Sequence, residues 1–177
     1  MSPSPAAPHI FTLTGNLLAE RTLEFDAWTP GKTQRARAER FQVGGKGINV
    51  SKMLTRLRVP HTALCFTGGA PGAECLDWLA QKSLPFHAFP STTPTRTGTV
   101  IRNRSAASAP AETTFLGPDA APDAAALRAC AAFLDAQPAG QILALCGSFP
   151  GWASADFEPL RAALTRWLAR GTLAVDT

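Results

Sequence analysis

The segment FQVGGKGINVSKML, residues 41–54, crowds Gly44, Gly45 and Gly47 around Lys46 and places Asn49 just ahead of an apolar periodicity. Glycine inside a helix or strand costs roughly 0.5–1 kcal/mol relative to alanine, so such a cluster needs a reason. At a helix N-terminus the first backbone N–H groups have no intrahelical acceptor, and without Cβ shielding a hydroxyl or an anion can approach them closely. The Asn49 amide adds both a donor and an acceptor. That chemistry suits a polyol. A second reading stands beside it on residue chemistry alone: the glycines make a tight strand-to-helix turn, and Lys46 is a solvated surface lysine. Two other glycine-rich motifs fail. A Walker A loop needs Gly-Lys-Ser/Thr, whereas Lys46 is followed by Gly47. A dinucleotide fingerprint needs a sixth-place glycine, and with Gly45 and Gly47 in the first and third places the sixth is Val50.

The elements that must position this turn follow from periodicity. HIFTLT (9–14) reads as a first strand. Val50, Met53, Leu54 and Leu57 then fall at helical spacing and stop before Pro60. TALCFTGG (62–69) reads as a buried strand ending in a glycine turn, Leu76, Leu79 and Ala80 continue as helix, and PFHAFP (85–90) is a short strand. Leu127, Cys130, Ala131 and Leu134 mark another helix, and QILALCGSF (141–149) is an apolar strand running into a Gly-Ser turn. Ser154 suits an N-cap, and Phe157, Leu160, Leu164, Trp167 and Leu168 make one apolar stripe behind it. GTLAVDT closes the chain as a strand. The alternation predicts an α/β domain around a mostly parallel sheet. Residues 21–41 and 95–117 break the rhythm with β-rich pieces joined by polar turns and no intervening helix, as expected of a small second sheet acting as a lid. Residues 105–112, SAASAPAE, read as its flexible tip.

Composition bounds the rest. The 177 residues are 45% hydrophobic and 17% charged, enough for one domain with a real core. A net charge of +4 with interspersed signs is a mild bias towards anionic ligands. With no tyrosine and no interleaving of aromatics with Lys and Arg, a nucleic-acid surface is not indicated. Cys65, Cys75, Cys130 and Cys146 are widely spaced, with no histidine at zinc-ligand spacing, so no metal site or disulfide framework is indicated and free buried thiols are expected. The longest charge-free run, 136–155, is broken by Pro138, Gly140, Gly147, Pro150 and Gly151 and cannot be a membrane helix. Residues 1–8 read as a disordered leader without signal-peptide character, and a reducing cytoplasm fits the thiols.

GGKGINVSKMLTRL resembles the first signature of the PfkB-type carbohydrate kinases of the ribokinase-like superfamily, and most of all the phosphofructokinase and tagatose-6-phosphate kinase branch. FTLTGNLLAERTLEF resembles that family's opening strand and substrate-contacting turn, GGAPGAE its second glycine turn, TRTGTVI its arginine-bearing lid strand, LCGSFPGW its Gly-Ser-Leu-Pro turn and LAVDT the strand after it. The resemblance implies a three-layer α/β/α fold with a mostly parallel central sheet and a small β lid, occupying 9–177 as the N-terminal part of one kinase domain, with lid segments at about 17–41 and 95–117. It implies ATP and Mg²⁺ for the parent enzyme, a sugar-phosphate substrate, and a homodimer through the lid. Gly44, Gly45 and Asn49 would hold sugar hydroxyls with Lys46 beside them, Lys32 and Arg96 would face the phosphate, and Ser148 would point into the cleft. Two departures stand out. The family's Asn-Pro-Ala-x-Asp turn reads NLLAE here, with Leu17 for the proline and Glu20 for the sugar-gripping aspartate. The family's Gly-Ala-Gly-Asp signature, which supplies the anion hole and catalytic aspartate, does not occur, so no catalytic residue is assigned and the fold is expected to be incomplete at its C-terminus. The expected activity is phosphorylation of fructose 1-phosphate, tagatose 6-phosphate or fructose 6-phosphate by the parent. A non-catalytic sugar-phosphate binder and an inactive remnant are the alternatives.

Overall fold

The computed structural model describes residues 7–104 and 111–176. Most of the expected leader and the lid tip therefore lie outside the described residues. Five parallel strands form the main sheet: β1 (Ile10–Thr14), β4 (His61–Thr67), β5 (Phe86–Pro90), β8 (Ile142–Cys146) and β9 (Thr172–Asp176), in the order β5-β4-β1-β8-β9. Four more form a second sheet, β2 (Leu18–Phe25), β3 (Ala38–Gly44), β6 (Arg96–Asn103) and β7 (Glu112–Leu116), ordered β3-β2-β6-β7. In that sheet β2 pairs antiparallel with β3 but parallel with β6, so its centre is formed by two strands remote in sequence.

Alternation along the main strands divides the core. Phe11, Leu13, Leu64 and Phe66 point to one face, where α3 (Ala124–Asp135) and α4 (Glu158–Leu168) supply Leu127, Leu134, Leu160 and Trp167. Ala63 and Cys65 point to the other, against Ile48 of α1 (Lys46–Arg56) and Cys75 and Leu79 of α2 (Gly69–Gln81). The result is three layers, and each large apolar side chain fully buried in them contributes about 1.5–3 kcal/mol. All four cysteines are free and buried.

Three local expectations need correcting. Met53 and Leu57, part of the apolar spacing that marks α1, are 49% and 67% exposed, and the buried face is Gly47, Ile48 and Ser51. Small residues win there because α1 lies close on β1, where Thr12 Oγ1 and Ser51 Oγ are 2.7 Å apart and buried. Ser154 does not cap α4. It precedes a 3-10 turn, Ala155–Phe157, and its hydroxyl makes no capping bond, while Pro159 in the first turn presets α4. Leu168 leaves the stripe. It is 60% exposed and lines an apolar hollow of about 510 Å³ with Leu145, Trp152, Leu164, Leu173 and Val175.

Candidate functional site

The main sheet runs outward from β1 in both directions, first to β4 and β5, then to β8 and β9, so the strand order reverses between β1 and β8. In open parallel sheets a cleft forms beyond the carboxyl ends of the strands at such a reversal. The two strand ends there continue as Thr14-Gly15-Asn16 and Cys146-Gly147-Ser148. Asn16 Nδ2 donates to Ser148 Oγ at 3.3 Å and to Asp119 Oδ1 at 2.8 Å. Arg96 NH1 donates to the same Asp119 oxygen at 2.8 Å. Thr14 Oγ1, Asn16 Oδ1 and Arg96 Nε are buried with no protein partner. Orphaned buried polar atoms are costly in a finished interior, and the two on Asn16 and Arg96, which share Asp119, are what a polyhydroxylated, anionic ligand would satisfy.

The glycine turn closes the cleft from the α1 side. Gly45 has φ +126 and is the N-cap of α1, without a side-chain cap and with no acidic residue in the first turn. A Cβ at Gly45 would meet Thr14 Cγ2 at 2.7 Å, and one at Gly47 would run into Thr14 Oγ1. The glycines therefore serve close packing of the helix start on β1. Gly44 and Arg96 both pair with Leu18, from opposite sides, which puts them about 10 Å apart. Glu20 lies beside Gly44 on the same sheet face, its carboxylate accepting from Gln42 Nε2.

The remaining residues divide. Asn49 is exposed on α1, its Oδ1 accepting from Lys52 Nζ at 3.3 Å. Lys46 reaches away from the glycines, with Nζ 3.6 Å from Asp176 Oδ1. Lys32 is not brought to Arg96. It lines a hollow with Phe25, Trp28, Ile101 and Phe115, and strand alternation puts Ile101 on the opposite face of the second sheet from Arg96. Sequence reading missed Thr14, Asn16, Asp119 and Lys52. Lys52 Nζ donates to the Val43 carbonyl at 2.8 Å and lies 5.0 Å from the Trp78 ring centroid; burial lowers its pKa, and Glu20 opposes that shift. Its helical spacing from Asn49, three residues on, was the one available signal. Asp119 gave none, because it lies in the irregular connection after β7.

The fold defines a doubly wound α/β protein with a cleft at the sheet's reversal, overhung by a second sheet. This chain belongs to the pfkB family of carbohydrate kinases, whose profile matches residues 14–163. It is similar to a D-tagatose-1-phosphate kinase of Bacillus licheniformis, 43% identical over 63 residues (36% of this chain, 21% of the relative). An ATP-dependent 6-phosphofructokinase isozyme 2 of Mycobacterium tuberculosis is 35% identical over 100 residues (56% and 30%). Among solved structures, phosphofructokinase-2 from Escherichia coli in complex with fructose-6-phosphate superposes with a TM-score of 0.84 at 24% identity, covering 96% of this chain and 55% of that one. That likeness establishes the ribokinase-like fold. The chain spans about half the length of the solved relatives, and the matched stretches are 21–30% of the curated ones. Among the described residues no helix is long and apolar enough to cross a membrane.

Proposed function

We propose that this chain forms the acceptor-binding part of an ATP-dependent, cytoplasmic sugar-phosphate kinase, with the second sheet as its lid. Fructose 1-phosphate is the first choice of acceptor, ahead of tagatose 6-phosphate and fructose 6-phosphate. The observation that carries the reading is the cluster at the β1–β8 reversal, where Asn16 and Arg96, both bonded to Asp119, each keep a buried polar atom without a protein partner. Arg96 takes the phosphate, since a guanidinium can offer two parallel N–H groups. Asn16, Ser148, Glu20, Asn49 and the amides around Gly44 and Gly45 hold the hydroxyls. Lys46 stands at the rim, and Lys32 joins only through movement of the β2–β3 connection or by pairing of lids across a dimer.

In the parent reaction the sugar hydroxyl oxygen bonds to the ATP γ-phosphorus, the bond from that phosphorus to the bridging oxygen breaks, ADP leaves, and the hydroxyl proton passes to a base. Mg²⁺ would neutralise the phosphates, but among the described residues no group of three His, Cys, Asp or Glu converges to hold an ion. The contribution of these residues is to bind and orient the acceptor, worth much of an entropic barrier but not the chemical step. The test is calorimetric titration of the chain with fructose 1-phosphate, tagatose 6-phosphate, fructose 6-phosphate and fructose. Binding of at least one phosphate ester that weakens about 10-fold to 100-fold in Arg96→Ala is expected, the scale of a lost charge-assisted hydrogen bond. Equal affinity for fructose and its phosphates would refute it.

A further inference from the structure

Arg96 holds its charge in a nearly closed setting, with a side chain only 13% exposed, and its protein counter-charge is Asp119. That pairing is partial. Asp119 uses one oxygen, Oδ1, for both Arg96 NH1 and Asn16 Nδ2, each at 2.8 Å, while Arg96 Nε stays buried and unpartnered. The two partners also differ in freedom. The Asp119 side chain is 60% exposed and lies in the irregular connection 117–123, which is pinned at both ends. At one end Gly117 N donates to Thr97 O at 2.8 Å, and at the other Asp123 N donates to Ser91 Oγ at 3.1 Å. Between the pins the two bonds to Asp119 Oδ1 hold its carboxylate, so it can turn into water at small desolvation cost, whereas Arg96 cannot follow.

We propose that Asp119 is an internal stand-in for the acceptor's phosphate, occupying Arg96 until a phosphorylated sugar displaces it, and so sets the discrimination between phosphorylated and plain sugars. This rests on the acceptor reading above. A phosphate dianion carries more charge than a carboxylate and has acceptor oxygens enough to take NH1 and NH2 together as a fork, so it gains a bond that Asp119, held at NH1 alone, leaves unmade. A neutral sugar hydroxyl brings no charge to replace the carboxylate, and leaves the Arg96–Asp119 pair intact. The residue therefore weakens binding of every phosphate species by the cost of its own release, and leaves plain sugar untouched.

The experiment titrates the chain, Asp119→Asn and Asp119→Ala with inorganic phosphate, fructose 1-phosphate and fructose, by calorimetry and by the NMR signal of Arg96 Nε–H. Asn keeps the shape and hydrogen-bonding oxygen without the charge, so it guards against a variant that fails to fold. Both phosphate species are expected to bind the Asn variant up to about fivefold more tightly, the range of a partly exposed ion pair. Fructose is expected to be unchanged in the Asn variant, whose amide oxygen still accepts from Asn16 Nδ2, and the gain to vanish in an Arg96→Ala background. Unchanged or weakened phosphate binding, or equal tightening of fructose, overturns the proposal. If inorganic phosphate tightens but fructose 1-phosphate binds no better than it does, the stand-in holds and the sugar reading fails. If the unaltered chain binds fructose 1-phosphate and the Asn variant matches it, the sugar reading holds and the stand-in fails. If neither phosphate species binds any of the three proteins, both fall.

Discussion

Gly47 stands against Thr14 so closely that any Cβ would overlap the hydroxyl. Gly47→Ala is therefore expected to destabilise the chain by about 1–3 kcal/mol, the usual cost of overpacking, in urea titrations without ligand. Unaltered stability would mean that the glycine serves ligand approach alone. Arg96→Ala belongs to the same scale, with its loss confined to phosphate-bearing ligands. The thiols supply a third residue-level expectation. Burial pushes the Cys65 and Cys75 pKa values up to about 12, and Cys146 is raised by the same cause. Since the thiolate is the reactive form, native chain at pH 8 should resist a disulfide reagent that labels all four cysteines in urea.

Asp123 shows how one residue can anchor an element. It is the N-cap of α3, with Oδ1 accepting from Ala126 N at 2.9 Å, while Oδ2 accepts from both Thr92 N and Thr92 Oγ1 at 2.7 Å. These bonds to Thr92 and Ala126 hold its pKa well below the usual carboxylate range. Between its folded and unfolded values the unfolded chain binds the proton and the folded chain does not. The stabilisation is thus complete above about pH 4 and is lost as pH falls towards the folded value. Asp123→Ala should cost about 1 kcal/mol at pH 7, as for other lost caps, and the difference from the unaltered protein should shrink in acid. A difference independent of pH would show that packing, not the charged cap, is responsible. Because the same carboxylate ties α3 to Thr92, it also fixes one end of the connection that carries Asp119.

At the scale of the molecule, the proposed acceptor site joins two sheets: Asn16 and Ser148 follow β1 and β8 of the main sheet, and Arg96 begins β6 of the second. A ligand that bridges them stabilises the whole fold by mass action. Fructose 1-phosphate at 100 times its Kd should add about 2.7 kcal/mol. For a chain of this size that raises Tm by roughly 5–10 °C in calorimetry. No ADP is expected from the 177 residues given ATP and the same sugar, since orienting the acceptor leaves out the base and anion hole. Turnover would refute that, and a Tm indifferent to every sugar phosphate would separate the two sheets energetically.

The sequence by itself determined the family, the alternation of strands and helices and the turn at Gly44 to Gly47, because periodicity and local turn chemistry act over a few residues and leave a pattern there. It located α1 but not its buried face, since Met53 and Leu57 satisfy the spacing while Gly47 and Ser51 satisfy the contact with β1. Only the tertiary structure decided that Asn16, Arg96, Asp119 and Ser148 meet. Those residues are 23 to 132 positions apart where they bond, and such contacts are fixed by strand order and register, which no single segment encodes. It also decided that Lys32 and Arg96 lie towards opposite faces of one sheet, a matter of residue parity along β6 and of where the β2–β3 connection folds, which the lid sequences could not express alone.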